Sequence, residues 1–307
     1  MTRIASSMFN ASALADLQRA QRDLYDAQRK TASQKEADDL KGYGQNARNL
    51  VSLQRMRAHS DAYTESASEL TTRLEIQDSQ LGRSAEVVGA LREKLTEALA
   101  LGDLSSVAAD LANTFNDIKS SFNATLGGKY LFGGTASDQA PITATNISDL
   151  ANNPLADAVN SDGKTVEVRI AENRQVNAAP LASSAAQDIL TVLRDLQIFE
   201  EGVDGPFTDN PTEAQKTAIQ SAILDLKQAH EGLLNVQASN GQVLNQTDEM
   251  IKRHTNESNL LESLAADITD VDLAEVAVKL NQAQLQYQAT ASVFSTIQGL
   301  SLVDYLR

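Results

Sequence analysis

Apolar positions in this chain recur at helical spacing over unusually long stretches. Stepping alternately by three and four from Leu53 gives Leu53, Met56, Ser60, Tyr63, Ala67, Leu70, Leu74, Gln77, Leu81, Ser84, Val88, Leu91, Leu95 and Ala98, of which only Ser60, Gln77 and Ser84 are polar. That is a coiled-coil seam. It predicts one helix from about 45 to 101, roughly 85 Å long at 1.5 Å per residue. Gly102 reads as its stop, Asp103 as the cap of a second helix over about 104–126, and Gly127-Gly128 as the end of that one. A looser rhythm returns in Ile219, Ile223, Leu226, Leu233, Val236, Val243, Met250, Leu261 and Leu264, entered through the capping box Thr212-Glu-Ala-Gln215. Asn240, Thr247, His254 and Glu257 interrupt it. That predicts a bundle wider than a tight two-stranded coil, with the 45–101 helix as antiparallel partner.

Both ends repeat the amphipathic pattern. Leu14, Leu17, Gln21, Leu24 and Gln28 fall on one line of a helix from about 6 to 33. Near the other end, Leu273, Val276, Leu280, Ala283, Tyr287, Thr290, Phe294 and Ile297 hold a seam behind an acidic start at Asp272 and Glu275, which suits the positive end of the helix dipole. Between Val276 and Val303 the only charged residue is Lys279, and the polar positions are amides such as Gln282, Gln284, Gln286 and Gln288. A solvated helix normally keeps charges on its outer face. Removing them while keeping amides predicts a helix enclosed by other protein, and the amides disfavour a lipid-facing span.

Prolines mark the middle. All five, at 141, 154, 180, 206 and 211, lie there, leaving flanks free for long helices. Within the middle, Lys129-Tyr-Leu-Phe-Gly-Gly-Thr135 reads as a short strand with a glycine turn. Thr165–Ile170 alternates, with Val166, Val168 and Ile170 on one face of a half-buried strand. Ser184 and Gln187 form a capping-box pattern ahead of a helix over about 185–200, and residues 202–211 form turns. The fold class this predicts is mainly α: an elongated antiparallel helical bundle or coiled coil from N- and C-terminal arms, with a small mixed α+β insert. The expected segments are 1–44, an N-terminal assembly helix and connector; 45–128, the first half of a helical rod; 129–211, an outward-facing insert; 212–268, the returning half; and 269–307, a C-terminal assembly helix.

Composition narrows the function. The 307 residues carry 26 Lys plus Arg against 41 Asp plus Glu, a net charge of −15, which argues against a phosphate-neutralising surface and hence against nucleic acid. With no Cys there is no disulfide, thiolate nucleophile or Cys-based metal site. His59, His230 and His254 are scattered without metalloprotease spacing, and Gly127 to Gly134 does not match a phosphate-binding loop. Asp38-Asp39, Asp267, Asp270 and Asp272 fit no calcium loop and read as caps. No catalytic residue, cofactor or metal site is expected. No stretch approaches a membrane span, and MTRIASSMFN lacks the apolar core of a cleavable secretory signal, so export, where it occurs, is expected without cleavage.

The two ends resemble those of the flagellin superfamily, and more specifically the hook–filament junction (FlgL-type hook-associated) proteins of the bacterial flagellum. The matching pieces are MTRIASSMFN with its amphipathic helix; Asp38-Asp39 after it; Gly128-Lys-Tyr-Leu-Phe-Gly-Gly-Thr135; and Asp270-Val-Asp-Leu-Ala-Glu275 running to Leu300-Ser-Leu-Val-Asp-Tyr-Leu306. Family members place a glycine-containing basic turn before the Asp pair, where this chain has Ser33-Gln-Lys-Glu-Ala37, with Gly42 and Gly44 close by. The resemblance implies a structural protein of the extracellular flagellum, joining hook to filament through terminal helices that order on assembly. It implies self-assembly into a ring or tube, contact with a neighbouring hook-associated protein and flagellin, and an export chaperone on the C-terminal helix. Leu14, Leu17, Leu24, Leu280, Tyr287, Phe294, Leu300 and Leu302 are the expected assembly contacts. A filament flagellin is the alternative that shares the arms. A cytosolic coiled-coil adaptor explains the arms but not the charge-poor end, and an enzyme housed in the insert has no chemistry to support it.

Overall fold

A computed structural model describes residues 2–160, 163–178 and 180–305, with the side chains of 2–7, 9, 10 and 298–305 left outside the description. Its elements are α1 (Thr2–Ser33), α2 (Ala47–Leu101), α3 (Val107–Phe122), β1 (Thr125–Leu126), β2 (Lys129–Tyr130), α4 (Ile147–Asn152), α5 (Leu155–Ala158), β3 (Glu167–Ala171), β4 (Arg174–Asn177), α6 (Ala182–Ala185), α7 (Gln187–Glu201), α8 (Glu213–Thr269) and α9 (Leu273–Tyr305). The architecture is mainly α with a small β content, as the sequence pattern predicts. Contacts divide it into two compact units, Met1–His59 with Asn256–Arg307, and Ser60–Thr255; α2 and α8 each contribute to both.

In the 60–255 unit, α2 and α8 run antiparallel: Asn240 Nδ2 donates to the Leu74 carbonyl (2.9 Å), Gln237 Nε2 to Asp78 (3.2 Å), and His230 Nδ1 to the Ala85 carbonyl (3.0 Å). Residue numbers climb on one helix as they fall on the other. From Ser60 onward the expected α2 seam is the observed one, while Met56 before it is exposed. Ala67, Leu70, Leu74, Leu81, Val88, Leu91 and Leu95 are buried, and so are the polar exceptions Ser60, Gln77 and Ser84.

On α8 the structure corrects the sequence reading. Asn240, Thr247 and His254 do not break the seam; they are buried members of it, at three–four steps between Ile219 and Leu261. Each is accommodated because a carbonyl lies in reach: Leu74 for Asn240, Val243 for Thr247 (2.8 Å), and Ile170 for His254 Nε2 (3.0 Å). A buried polar group costs little once it is hydrogen-bonded.

Two cores fill this unit. One joins α2 from Leu81 onward with α3, α7, the start of α8 and the apolar residues of the middle segment, including Leu131, Phe132, Ile142, Leu150, Ile189 and Leu193. Here the wider bundle is realised. Phe122 and Phe132 meet edge to face at 5.0 Å within it. The second core lies under the β3–β4 hairpin, where Ile170, Val176 and Ala178 cover Ala67, Leu70, Leu74 and Met250, and Val166 and Val168 pack against its edge. The half-buried strand expected at 165–170 therefore exists, and its partner Arg174–Asn177, which carries only one buried apolar residue, was not foreseen.

Local corrections have local causes. The second helix runs over 107–122 and not 104–126. Leu104 is instead driven into the core, with its N–H on the Thr208 carbonyl (2.9 Å), which uses up residues 103–106 as a docking loop. Asp103 accepts from the Ser105 backbone and hydroxyl and caps nothing. Gly127 and Gly128 do not stop a helix; both adopt positive φ in the two-residue turn that pairs Thr125 with Tyr130 and Leu126 with Lys129. Ser184 bonds back to the Leu181 carbonyl inside α6, so the expected capping box at Ser184/Gln187 is absent. The box at Thr212 is present in both directions: Gln215 N–H donates to Thr212 Oγ1 (3.2 Å) and Thr212 N–H to Gln215 Oε1 (3.1 Å).

In the other unit, α1 pairs with α9, and the start of α2 meets the end of α8 through Arg57 and Glu262 (3.2 Å). The connectors are stitched together: Glu36 N–H donates to Thr269 (2.8 Å), Val271 N–H to Gln34 (3.1 Å), and Lys35 bridges Asp270. Gln34 takes φ of 58°, the one non-glycine residue at positive φ among those described. A glutamine thus ends α1 in the left-handed conformation that ordinarily favours glycine. Tyr43 Oη closes the connector on the Ala37 carbonyl (2.7 Å).

Candidate assembly interface

Because the end of α1 and the start of α9 are joined by that bridge, the two helices pair antiparallel. Asp272 Oδ1 starts α9 by accepting the N–H groups of Ala274 (2.8 Å) and Glu275 (3.2 Å). From Val276 onward the seam is the expected one: Val276 is buried, and Leu280, Ala283, Tyr287, Thr290, Phe294 and Ile297 are half-buried. Leu273 is exposed and lies outside it. On α1 the seam keeps Leu17 and Leu24 of the expected line but takes the preceding residue in place of Leu14, Gln21 and Gln28. Ala13, Leu17, Ala20, Leu24 and Ala27 face inward, with Ala20 and Ala27 buried, while Leu14, Gln21 and Gln28 are exposed. Small alanines let the helix axes approach closely, so they win the contact positions over larger residues.

The expected assembly residues therefore divide. Leu17, Leu24, Leu280, Tyr287 and Phe294 are half-buried along the pair's own seam, and Leu14 is 44% exposed. The side chains of Leu300 and Leu302 lie outside the described residues. Both ends are helical in the structure. Each supplies the other one seam, so the outer faces are what remains without cover.

Sequence reasoning missed what stands on the outer face. Val278 (56% exposed), Leu285 (67%) and Val293 (56%) are seven and eight residues apart and form one stripe roughly opposite the Leu280–Tyr287 seam. Around them Gln282, Gln284, Gln286 and Gln288 are exposed, and Lys279 is the only charge. Tyr25 on α1 is 70% exposed as well. The spacing was legible all along, but tracing a single seam per helix hides a second one.

A cluster of charges lies at the root of the pair. Hydrogen bonds first to Asp38 and then to Asp26 raise the Arg29 guanidinium above its usual range. Lys279 is raised chiefly by its hydrogen bond to Glu275 and, more weakly, by the charge of Glu36. The residues considered for chemistry have structural partners: Asp38 pairs with Arg29, Asp39 accepts from Gly42 N–H, and His230 and His254 hold carbonyls. Among the described residues no group of three or more His, Asp or Glu is placed to hold a metal ion, and no helix is long and apolar enough to cross a membrane.

The described residues thus form a long antiparallel α2–α8 pair and a terminal helix pair whose outer face is uncovered and carries Lys279 as its only charge between Val276 and Val303. Residues 217–306 match the bacterial flagellin C-terminal helical region. Flagellar hook-associated protein 3 of Escherichia coli (strain K12) is 23% identical over 270 residues, 83% of this chain and 84% of that protein. The fold is shared with Bacillus cereus FlgL (TM-score 0.57, 14% identity, covering 70% of this chain and 99% of that one). It is shared too with a Vibrio parahaemolyticus protein assigned to the flagellar hook-associated proteins (TM-score 0.58, 18% identity, 75% and 98%). The resemblance expected from the chain ends is present in sequence and in fold.

Proposed function

We propose that this chain is a structural component of the bacterial flagellum that joins hook to filament, with residues 1–44 and 269–307 as its assembly portion. The observation that carries this reading is the outer face of α9, where Val278, Leu285 and Val293 stand in water on a stretch, 276–303, with one charge. A single chain gains nothing from such a face, whereas copies packed around it would bury both stripes. Leu14, Leu17, Leu24, Leu280, Tyr287, Phe294, Leu300 and Leu302 act with that stripe, some by holding the pair together and some by meeting neighbours. The role is mechanical, and the insert between 129 and 211 faces outward. Its neighbours are another hook-associated protein on one side and flagellin on the other, after export without cleavage in the care of a chaperone on α9.

Immunolabelling of sheared appendages tests the assignment. Label confined to the distal end of the hook is the expected result. Label along the whole length makes the chain a filament subunit, and label confined to the cytosol overturns both.

A further inference from the structure

Seven charged side chains converge where α1 gives way to its connector and α9 begins. Arg29 reaches Asp26 (2.5 Å) and Asp38 (2.7 Å), and Lys30 reaches Glu36 (2.5 Å) and Asp26 (3.6 Å). Lys279, the sole charge of the following 276–303 stretch, sits 2.6 Å from Glu275 and feels Glu36 from across the connector. Glu36 is thus attracted by a lysine from each end helix. Its own N–H makes one of the two backbone hydrogen bonds, Glu36 to Thr269 and Val271 to Gln34, that stitch the connectors.

We infer that this network is an ionic clasp that keeps the 34–36/269–271 bridge closed, making the root of the end-helix pair a salt-sensitive hinge. Two hydrogen bonds at a surface open easily by local fluctuation. Exposed ion pairs add a modest, screenable attraction that biases such a bridge toward its closed form. Beyond the root, the α1–α9 seam is held by alanine, leucine, tyrosine and phenylalanine contacts, which salt does not weaken. The lone lysine of the last helix is therefore placed where a charge acts on the connector and is absent where it would act on neighbours. Salt should loosen the root and leave the seam as it is, which separates the clasp from a merely solvated cluster.

Amide exchange resolved by residue on the full-length chain tests this, with Glu36→Gln removing both lysine attractions at constant shape. The expected result is a loss of protection at the Glu36 and Val271 amides in the parent chain at about 1 M sodium chloride, where screening is nearly complete. The variant should show the same loss at low salt, while the amides of 280–290 keep theirs. Unchanged protection at both root amides in salt overturns the clasp, as does a loss spread evenly along the seam. Should Glu36→Gln lose helix content, the salt titration of the parent chain decides by itself.

Discussion

Gln34 sits at the end of α1 with a φ of 58°, a conformation that crowds its Cβ against its own backbone, yet its carbonyl is needed to accept from Val271 and its N–H bonds the Lys30 carbonyl (2.9 Å). The bonds hold the residue there in spite of the steric cost. Gln34→Gly should therefore stabilise the chain by about 0.5–1 kcal/mol, read as a higher urea midpoint by far-UV circular dichroism. The capping box at Thr212 makes the opposite case. Its hydroxyl is the first acceptor of α8, and Gln215, which returns the bond, also donates to the carbonyls of Asp204 and Pro206 (3.0 and 2.8 Å), so one side chain closes the 202–211 turn onto the helix start. Thr212→Ala should cost about 1 kcal/mol in the same measurement.

Among the elements, α2 and α8 set the frame, and the polar residues within them decide what attaches to it. Gln77 Nε2 and Arg73 Nη2 both donate to the Leu131 carbonyl (2.8 and 2.9 Å), and His254 donates to Ile170, so two segments of the middle region are pinned to the long helices by side chains that look like faults in a heptad. Burial pulls Arg73 below the usual arginine range, and its guanidinium is held by that carbonyl. The middle segment accordingly shares its core with α2, α3 and α8. Leu91, fully buried in that core, should lose about 2–5 kcal/mol on truncation to alanine. Leu101→Ala, on the exposed last turn of the same helix, should stay within about 0.5 kcal/mol of the parent. Equal losses at the two positions would contradict the assigned cores.

For the whole molecule, the question is which surface awaits other chains, and the two stripes of α9 separate the possibilities. Phe294 is half-buried in the seam with α1, so Phe294→Asp should weaken the helix pair and incorporation together. Leu285 touches water, so Leu285→Asp should leave stability within about 0.5 kcal/mol while abolishing incorporation into the appendage. Sedimentation of sheared appendages alongside denaturation of the purified chain measures both. A Leu285→Asp chain that incorporates normally would remove the outer stripe from the assembly surface.

Periodicity alone determined that the chain is helical at both ends, that 53–98 forms one long, mostly apolar line, and that the last helix is short of charge, because these are counts along the chain that helix geometry converts directly into faces. What only the tertiary structure decided is which of two adjacent lines on α1 is buried, where Gly127-Gly128 turns, and that Asn240, Thr247 and His254 belong inside. Each of these depends on a group far away in sequence: an alanine that permits close approach, a strand that returns to pair, a carbonyl that happens to lie within hydrogen-bonding reach. Local pattern specifies the face a residue occupies; whether that face is filled by the chain itself or left for another is settled only by what folds against it.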